Sequence, residues 1–374
     1  MKILYVTTVG STMGFFYEHF RMFIKEGHEI EIACGNAKPI SEKIASLGLP
    51  SHTIAFSRSP FSKDNLKAYK QLRELIENGN YDIVHCHTPN ASVITRLVCR
   101  KLRKKNGLKV FYTAHGFHFY KGAPLINWLL YYPIEKFMLR YTSRLITINT
   151  EDFELAKKKF SKKTDVLYMN GVGVNLGRFS KILDKENSEL REKLGYDKND
   201  FLITVVAECN INKNQIMLIN SIPTLKQHIP NLKVLFIGKE TLPVARNRVD
   251  ELGLNDVCEF LGYRTDVDLF EKINNICFSA SLREGLPVNI IEGMACGKVC
   301  ICSTNRGHNA LIKDNVNGLL FSPKNPNQMI SAILSVYNDK ELYNRLANQA
   351  ELDSKQYAVE YAVDFMKNLY TELA

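Results

Sequence analysis

The sequence predicts an α/β protein made of two Rossmann-like, doubly wound domains in tandem, facing a central cleft. Three observations predict it. The chain has 374 residues, more than one ordinary core holds, so two domains of roughly 150 to 200 residues are expected. Short apolar runs of strand character alternate with helical periodicity, the βαβ rhythm of a parallel sheet covered on both faces. That rhythm lapses over the charged residues 175–199 and then restarts.

In the first half, residues 3–8 (ILYVTT) read as a buried strand. A helix over 16–26 carries an apolar stripe at Phe16, Phe20, Phe23 and Ile24 and closes at Gly27. Strands follow at 29–33, 82–85, 110–113 and 144–148, with helices at 41–47, 63–77, 92–104 and 125–141. In the second half, strands are expected at 201–207, 233–237, 258–261, 276–280 and 299–302. Helices at 214–228, 244–252, 267–274, 287–296 and 328–338 separate or follow them. The domains are expected to span 1–175 and 176–356, with a C-terminal helix around 357–374 packing back on the first. Ligands of such sheets bind at the carboxyl ends of the strands.

The apolar and charged fractions, 45% and 24%, exclude a disordered chain. The net charge of +10 points to phosphate-bearing partners without choosing among nucleotides, nucleic acid and anionic lipid. The cysteines suit a reduced, cytoplasmic protein. Cys300 and Cys302 lie in the apolar run VCICS, and alternation turns Cys86 away from its neighbours His85 and His87. No metal is expected. The N-terminal run MKILYVTTVG ends too soon for an export signal, and no stretch has transmembrane length.

The sharpest local feature is CFSASLREGLPVNIIEGMACG. A strand ends near Ala280, a loop holds Glu284 and Gly285, and Pro287 suits a first helical position. Leu286, Val288 and Asn289 then bring backbone N–H groups to a helix N-terminus, an anion site fit for a phosphate. Glu292, a turn and a half on, is placed for ribose hydroxyls, and Glu284 for hydroxyls of a sugar.

This segment, with EGLP followed by EGMACG, resembles the signature of retaining GT-B glycosyltransferases of family four. Other parts fall in the family's order: TVGSTMGFF with Gly10 and Gly14, TAHGFHF with His115, MNGVGVNLGRF, VAECNINKNQ with Lys213, FLGYRTDV with Gly262, Tyr263 and Arg264, and STNRGHNALI with Arg306. The resemblance covers nearly the whole chain and is nearest to bacterial capsular and exopolysaccharide enzymes. It implies His115 and Glu284 as catalytic residues. Lys213, Gly262, Tyr263, Arg264, Gly285, Leu286, Pro287, Val288 and Glu292 would bind a UDP-sugar donor, with Arg306 as a phosphate helper. The glycine loop and His87 would face the acceptor, a lipid-linked polyprenyl-diphosphate saccharide. Glu208 stands where the family usually places an arginine, five residues before Lys213.

Asp266-Val267-Asp268 matches a DxD metal signature, but after Thr265 it reads as helix capping. Basic runs at residues 100–109 and 157–163 flank APLINWLLYYPIEKFML, which holds the only Trp, Trp128. That arrangement predicts docking on an anionic membrane, peripherally at the inner face of the cell membrane. No nucleic-acid module is recognisable. Two rivals remain: a nucleotide-sugar 2-epimerase of the same fold, and a non-catalytic donor-binding partner in polysaccharide assembly.

Overall fold

The computed structural model describes residues 1–57, 59–240 and 242–372; of Lys105 and Asn106 it describes the backbone alone, so Lys105 of the predicted basic run lies outside the described side chains. The chain divides into two compact units, Met1–Val172 with Glu360–Ala374, and Gly173–Val359. Each is a parallel-sheet, Rossmann-like α/β domain.

The first domain contains β1 (Lys2–Thr7), β2 (Glu29–Cys34), β3 (Ser51–Thr53), β4 (Ile83–His87), β5 (Lys109–Ala114), β6 (Arg144–Thr147) and β7 (Asp165–Tyr168). They lie in the order β3-β2-β1-β4-β5-β6-β7, with every pair parallel. The switch in strand order falls between β1 and β4, where ligands of doubly wound sheets bind. The second domain contains β8 (Phe201–Val206), β9 (Leu232–Ile237), β10 (Cys258–Gly262), β11 (Ile276–Ser279), β12 (Val299–Ser303) and β13 (Leu319–Phe321). Their order, β10-β9-β8-β11-β12-β13, places its switch between β8 and β11.

Short or polar elements differ from the sequence expectation. β3, β7 and β13, three or four residues each, have too few alternations to register. The helices Thr150–Phe160 and Lys340–Ser354 are amphipathic but rich in charge. The glycine segment Gly10–Phe16 is a 3₁₀ turn, and the regular helix begins only at Tyr17. Ile24, expected in its apolar stripe, is exposed.

The helix Val359–Thr371 returns the chain to the first domain. Tyr370, fully buried there, brings its hydroxyl 2.8 Å from that of Tyr5 in β1 and 2.6 Å from Nδ1 of His85 in β4. The opposite face of β4 bears Cys86, which joins the core beneath the helix Pro89–Asn106.

Candidate functional site

In the second domain, three loops at the carboxyl ends of neighbouring strands are laced together. The loop after β8 contacts the loop after β11 through Leu282 N donating to Asn212 O (2.7 Å) and Asn212 Nδ2 donating to Arg283 O (3.1 Å). The loop after β12 is tied in by Ser303 Oγ and Asn305 Nδ2, both donating to Ser281 O (2.6 and 2.8 Å). Asn305 also caps the helix Arg306–Leu311, accepting from Gly307 N and His308 N. A Cβ on Gly307 would lie 2.6 Å from Cβ of Glu284, so only glycine lets these loops approach. Asn305 and Gly307 were missed as site residues, although Asn before a helix is a readable cap signal.

This lacing sets Lys213 Nζ 2.6 Å from Glu284 Oε1, with both side chains largely buried. Arg306 Nε donates to Glu284 O at 3.3 Å. The cation expected at a diphosphate and the carboxylate expected at a sugar therefore form one ion pair. Beside it the helix Val288–Ala295 begins. Pro287 precedes its first turn as the cap residue, with φ −77° and ψ 106°, rather than occupying the first helical position. The amides of Val288 and Asn289 lie in the first turn, where no earlier helical carbonyl accepts them. Glu208 reaches the site's edge through its backbone, accepting from Gln215 Nε2 at 3.0 Å.

Glu292, on the same helix, keeps part of its surface exposed while its carboxyl is crowded by protein. Burial, and then the nearby Glu271 carboxylate, push its pKa up to about 8. Glu271 is fully buried; burial pushes it up to about 7, against a hydrogen bond from Asn274 Nδ2 at 2.7 Å. Both causes favour the neutral acid, the form of Glu292 that can donate to as well as accept from vicinal hydroxyls.

At the β10 end, Gly262 has φ +66° and Tyr263 is 66% exposed, with Lys239 Nζ over its ring at 5.6 Å from the centroid. Arg264 is held by Asp266 through two hydrogen bonds of 2.8 and 2.6 Å. This corrects the capping role expected of the DxD segment. Asp266 stands at the N-cap position of the helix Val267–Ile273, but its side chain caps nothing. Asp268 binds Arg178 (2.6 Å) and Lys272 (3.6 Å). Among the described residues, no group of three or more His, Cys, Asp and Glu could hold a metal.

In the first domain, His115 follows β5 and His87 ends β4, with Nδ1 of His87 3.1 Å from Nε2 of His115. Burial lowers the His115 pKa to about 4 and holds His87 well below its ordinary range. His85 lies 2.7 Å from Thr113 Oγ1 through Nε2, besides its contact with Tyr370. His19, unnoticed in the sequence, is fully buried beside Phe16, and burial lowers it to about 4. His87 is 1% exposed, so it faces His115 rather than an acceptor. A Cβ on Gly10 would meet Ile40 N at 2.6 Å, so that glycine serves the chain's own packing. A Cβ on Gly14 would meet nothing within 4 Å, so the space beside it is open.

These buried groups give the domains opposite responses to pH. Histidines with depressed folded pKa values contribute stability that is complete above about pH 6.5 and lost as pH falls toward 4. Carboxyls with raised values contribute stability that is lost as pH rises through the folded value. In the second domain His308, also lowered to about 4, opposes that trend below about pH 6.5, and Lys298, lowered to about 8 by burial, opposes it as pH nears 8. Trp128 reports the first domain, whose urea midpoint should rise between pH 5 and 7. The remaining far-UV transition should fall between about pH 6.5 and 7.5. Parallel shifts of both transitions would refute this.

One surface of the first domain is unusual. The helix Leu125–Met138 turns Glu135, Trp128, Tyr131 and Tyr132 inward. Its outer face is Leu125, Ile126, Leu129, Leu130, Ile134 and Phe137, each between 44% and 73% exposed. Lys136 and Arg140 border it, and Lys163 Nζ donates to Lys136 O at 3.4 Å. Trp128, expected at a docking surface, instead donates from Nε1 to Tyr120 O at 3.2 Å and packs on Phe119. No helix among the described residues is long and apolar enough to cross a membrane.

Residues 2–150 match the family described as glycosyl transferase 4-like, and residues 186–353 match glycosyl transferases group 1. The EpsD protein of Bacillus subtilis (strain 168), provisionally named a glycosyltransferase, is 36% identical over 372 residues, covering 99% of this chain and 96% of its own. The chain belongs to this glycosyltransferase family. The transferase is also 25% identical over 362 residues to an Escherichia coli UDP-Gal:alpha-D-GlcNAc-diphosphoundecaprenol alpha-1,3-galactosyltransferase, covering 95% and 92% of the two chains. Its fold matches Anabaena HepE, solved with UDP and glucose, at a TM-score of 0.80 with 18% identity and full coverage of both chains. The transferase thus has the GT-B fold.

Proposed function

We propose that this transferase moves a sugar from a UDP-sugar to a polyprenyl-diphosphate-linked saccharide, with retention of anomeric configuration, in capsular or exopolysaccharide synthesis. The observation that carries the reading is the Lys213–Glu284 pair beside the start of the helix Val288–Ala295. As the glycosidic bond breaks, charge develops on the leaving diphosphate. Lys213 and the helix N-terminus stabilise it. Lys213 exchanges Glu284 for phosphate, which frees the Glu284 carboxylate for sugar hydroxyls. Tyr263 and Glu292 hold the nucleoside, and His115 serves the transferred sugar. The acceptor hydroxyl gives its proton to the leaving phosphate as its oxygen bonds the anomeric carbon. The E. coli relative's named donor and acceptor support this choice of substrates. The positive charge comes from the chain, so transfer is expected to persist in EDTA.

The test is a panel of UDP-sugars with undecaprenyl-diphosphate-linked saccharides, read by product mass and UDP release. A product extended by one sugar is expected. An epimerised nucleotide sugar without acceptor would establish the epimerase reading. Absence of UDP release and of product with every donor would leave only a binding role.

The exposed apolar helix face and the cations that border it support docking on an anionic bilayer at the cytoplasmic side, where such an acceptor presents its head group. Co-sedimentation with phosphatidylglycerol vesicles is expected and should be lost in Leu129→Asp/Leu130→Asp. Equal binding by this variant, or binding to neutral vesicles alone, would refute the docking surface.

A further inference from the structure

His87 is enclosed on all sides. The rings of Phe16, His85 and Tyr5 have centroids 4.3, 4.2 and 5.5 Å from its own. Its Nδ1 meets His115 Nε2, and its Nε2 is buried with no hydrogen-bond partner among the described residues. The contact with His87 is the hydrogen bond the structure gives His115, so Nδ1 of His115 is the nitrogen left for a substrate. His19 and His85 are the other imidazoles near this pair, and burial keeps both neutral at pH 7, as it does the Tyr5 phenol.

A pair of neutral imidazoles shares one proton across such a contact. Were His115 the donor, His87 would carry its own proton on Nε2, a buried N–H with no acceptor. With His87 as donor, only a bare lone pair is buried there. Orphaned N–H groups are the rarer defect in folded proteins. We infer that His87 is a positioning residue that donates from Nδ1 to His115 Nε2 and holds His115 as the Nδ1–H tautomer. His115 then offers the transferred sugar a neutral hydrogen-bond donor. This last step rests on the role proposed above for His115; the tautomer itself does not.

The tautomer is read directly from two-bond ¹H–¹⁵N spectra of the ¹⁵N-histidine-labelled, full-length transferase, with His115 assigned through His115→Gln. The expected pattern is a protonated Nδ1 and a bare Nε2 on His115. His87→Phe should release that preference and lower kcat roughly 10- to 100-fold, with the UDP-sugar KM within about twofold of wild type. His87→Asn, whose side-chain amide overlays Nδ1, should restore both the tautomer and most of kcat. A wild-type His115 protonated on Nε2 overturns the inference, as does an unchanged tautomer in His87→Phe. If His87→Phe fails to fold, the wild-type spectrum still decides. A protein that shows the Nδ1–H tautomer yet transfers no sugar would remove the proposed function and leave the assignment standing.

Discussion

Lys213→Ala is expected to lower kcat/KM for transfer about 10²- to 10³-fold, the cost of losing one preorganised charge at a developing anion. Its ion pair with Glu284 spans 2.6 Å and is largely screened from water by the three laced loops. With Lys213 gone, Glu284 would face the incoming diphosphate unpaired, and like charge would add to the lost attraction. Glu284→Gln removes the carboxylate charge and one of its two acceptor oxygens but leaves Lys213 free for phosphate, so UDP affinity should rise or hold while kcat falls. Because the side chains touch, the double variant should cost less than the sum of the single ones. Steady-state UDP release and UDP titration measure both quantities. A Lys213→Ala enzyme that keeps more than about a tenth of its activity would discredit the assignment.

The second large effect is on stability. Arg96→Met is expected to destabilise the first domain by about 3 to 5 kcal/mol. Arg96 is fully buried; Nη1 donates to Glu135 Oε2 at 2.9 Å and Nε to Ser92 O at 3.0 Å, while Tyr112 donates to Glu135 Oε1 at 3.2 Å. Removing the guanidinium leaves a buried carboxylate without its counter-charge, the costly way to break such a pair. Arg96→Met/Glu135→Leu should recover most of the loss, since apolar groups of similar volume often replace a buried ion pair without penalty. Trp128 lies on the same helix as Glu135, so its fluorescence in urea follows the transition directly. A single-variant shift below about 1 kcal/mol would mean that the pair is not what pins this helix.

How far the sequence reveals this protein depends on range. Six-residue strands with four or five apolar residues, such as β1, β5 and β8, announce themselves by local pattern. Ser51–Thr53 and Leu319–Phe321 do not, because three residues carry no periodicity and their pairing partners lie far away. The pairing of Lys213 with Glu284 crosses 71 positions and follows from loop lacing, not from either motif. Thr265 and Asp266 looked like caps because both are good N-cap residues. A neighbouring arginine, Arg264, competes for the Asp266 carboxylate and wins with two hydrogen bonds. Gly10 looked like a substrate approach, yet it accommodates the loop at residues 38–40, which no local window contains. His87 and His115 were both visible as strand-end histidines. Their contact needed the register of β4 against β5, in which His87 pairs with Thr113. Tyr5 and Tyr370 are separated by 365 positions and carried no signal at all.

That last pair has a consequence for biosynthesis. Domains generally fold as they emerge from the ribosome, earliest first. Here β1 and β4 appear at the beginning of translation, but Tyr370 appears only after every residue of Gly173–Val359. Until then Tyr5 and His85 lack their partner, and the floor of the histidine cluster stays open. The domain that is synthesised first is therefore completed last.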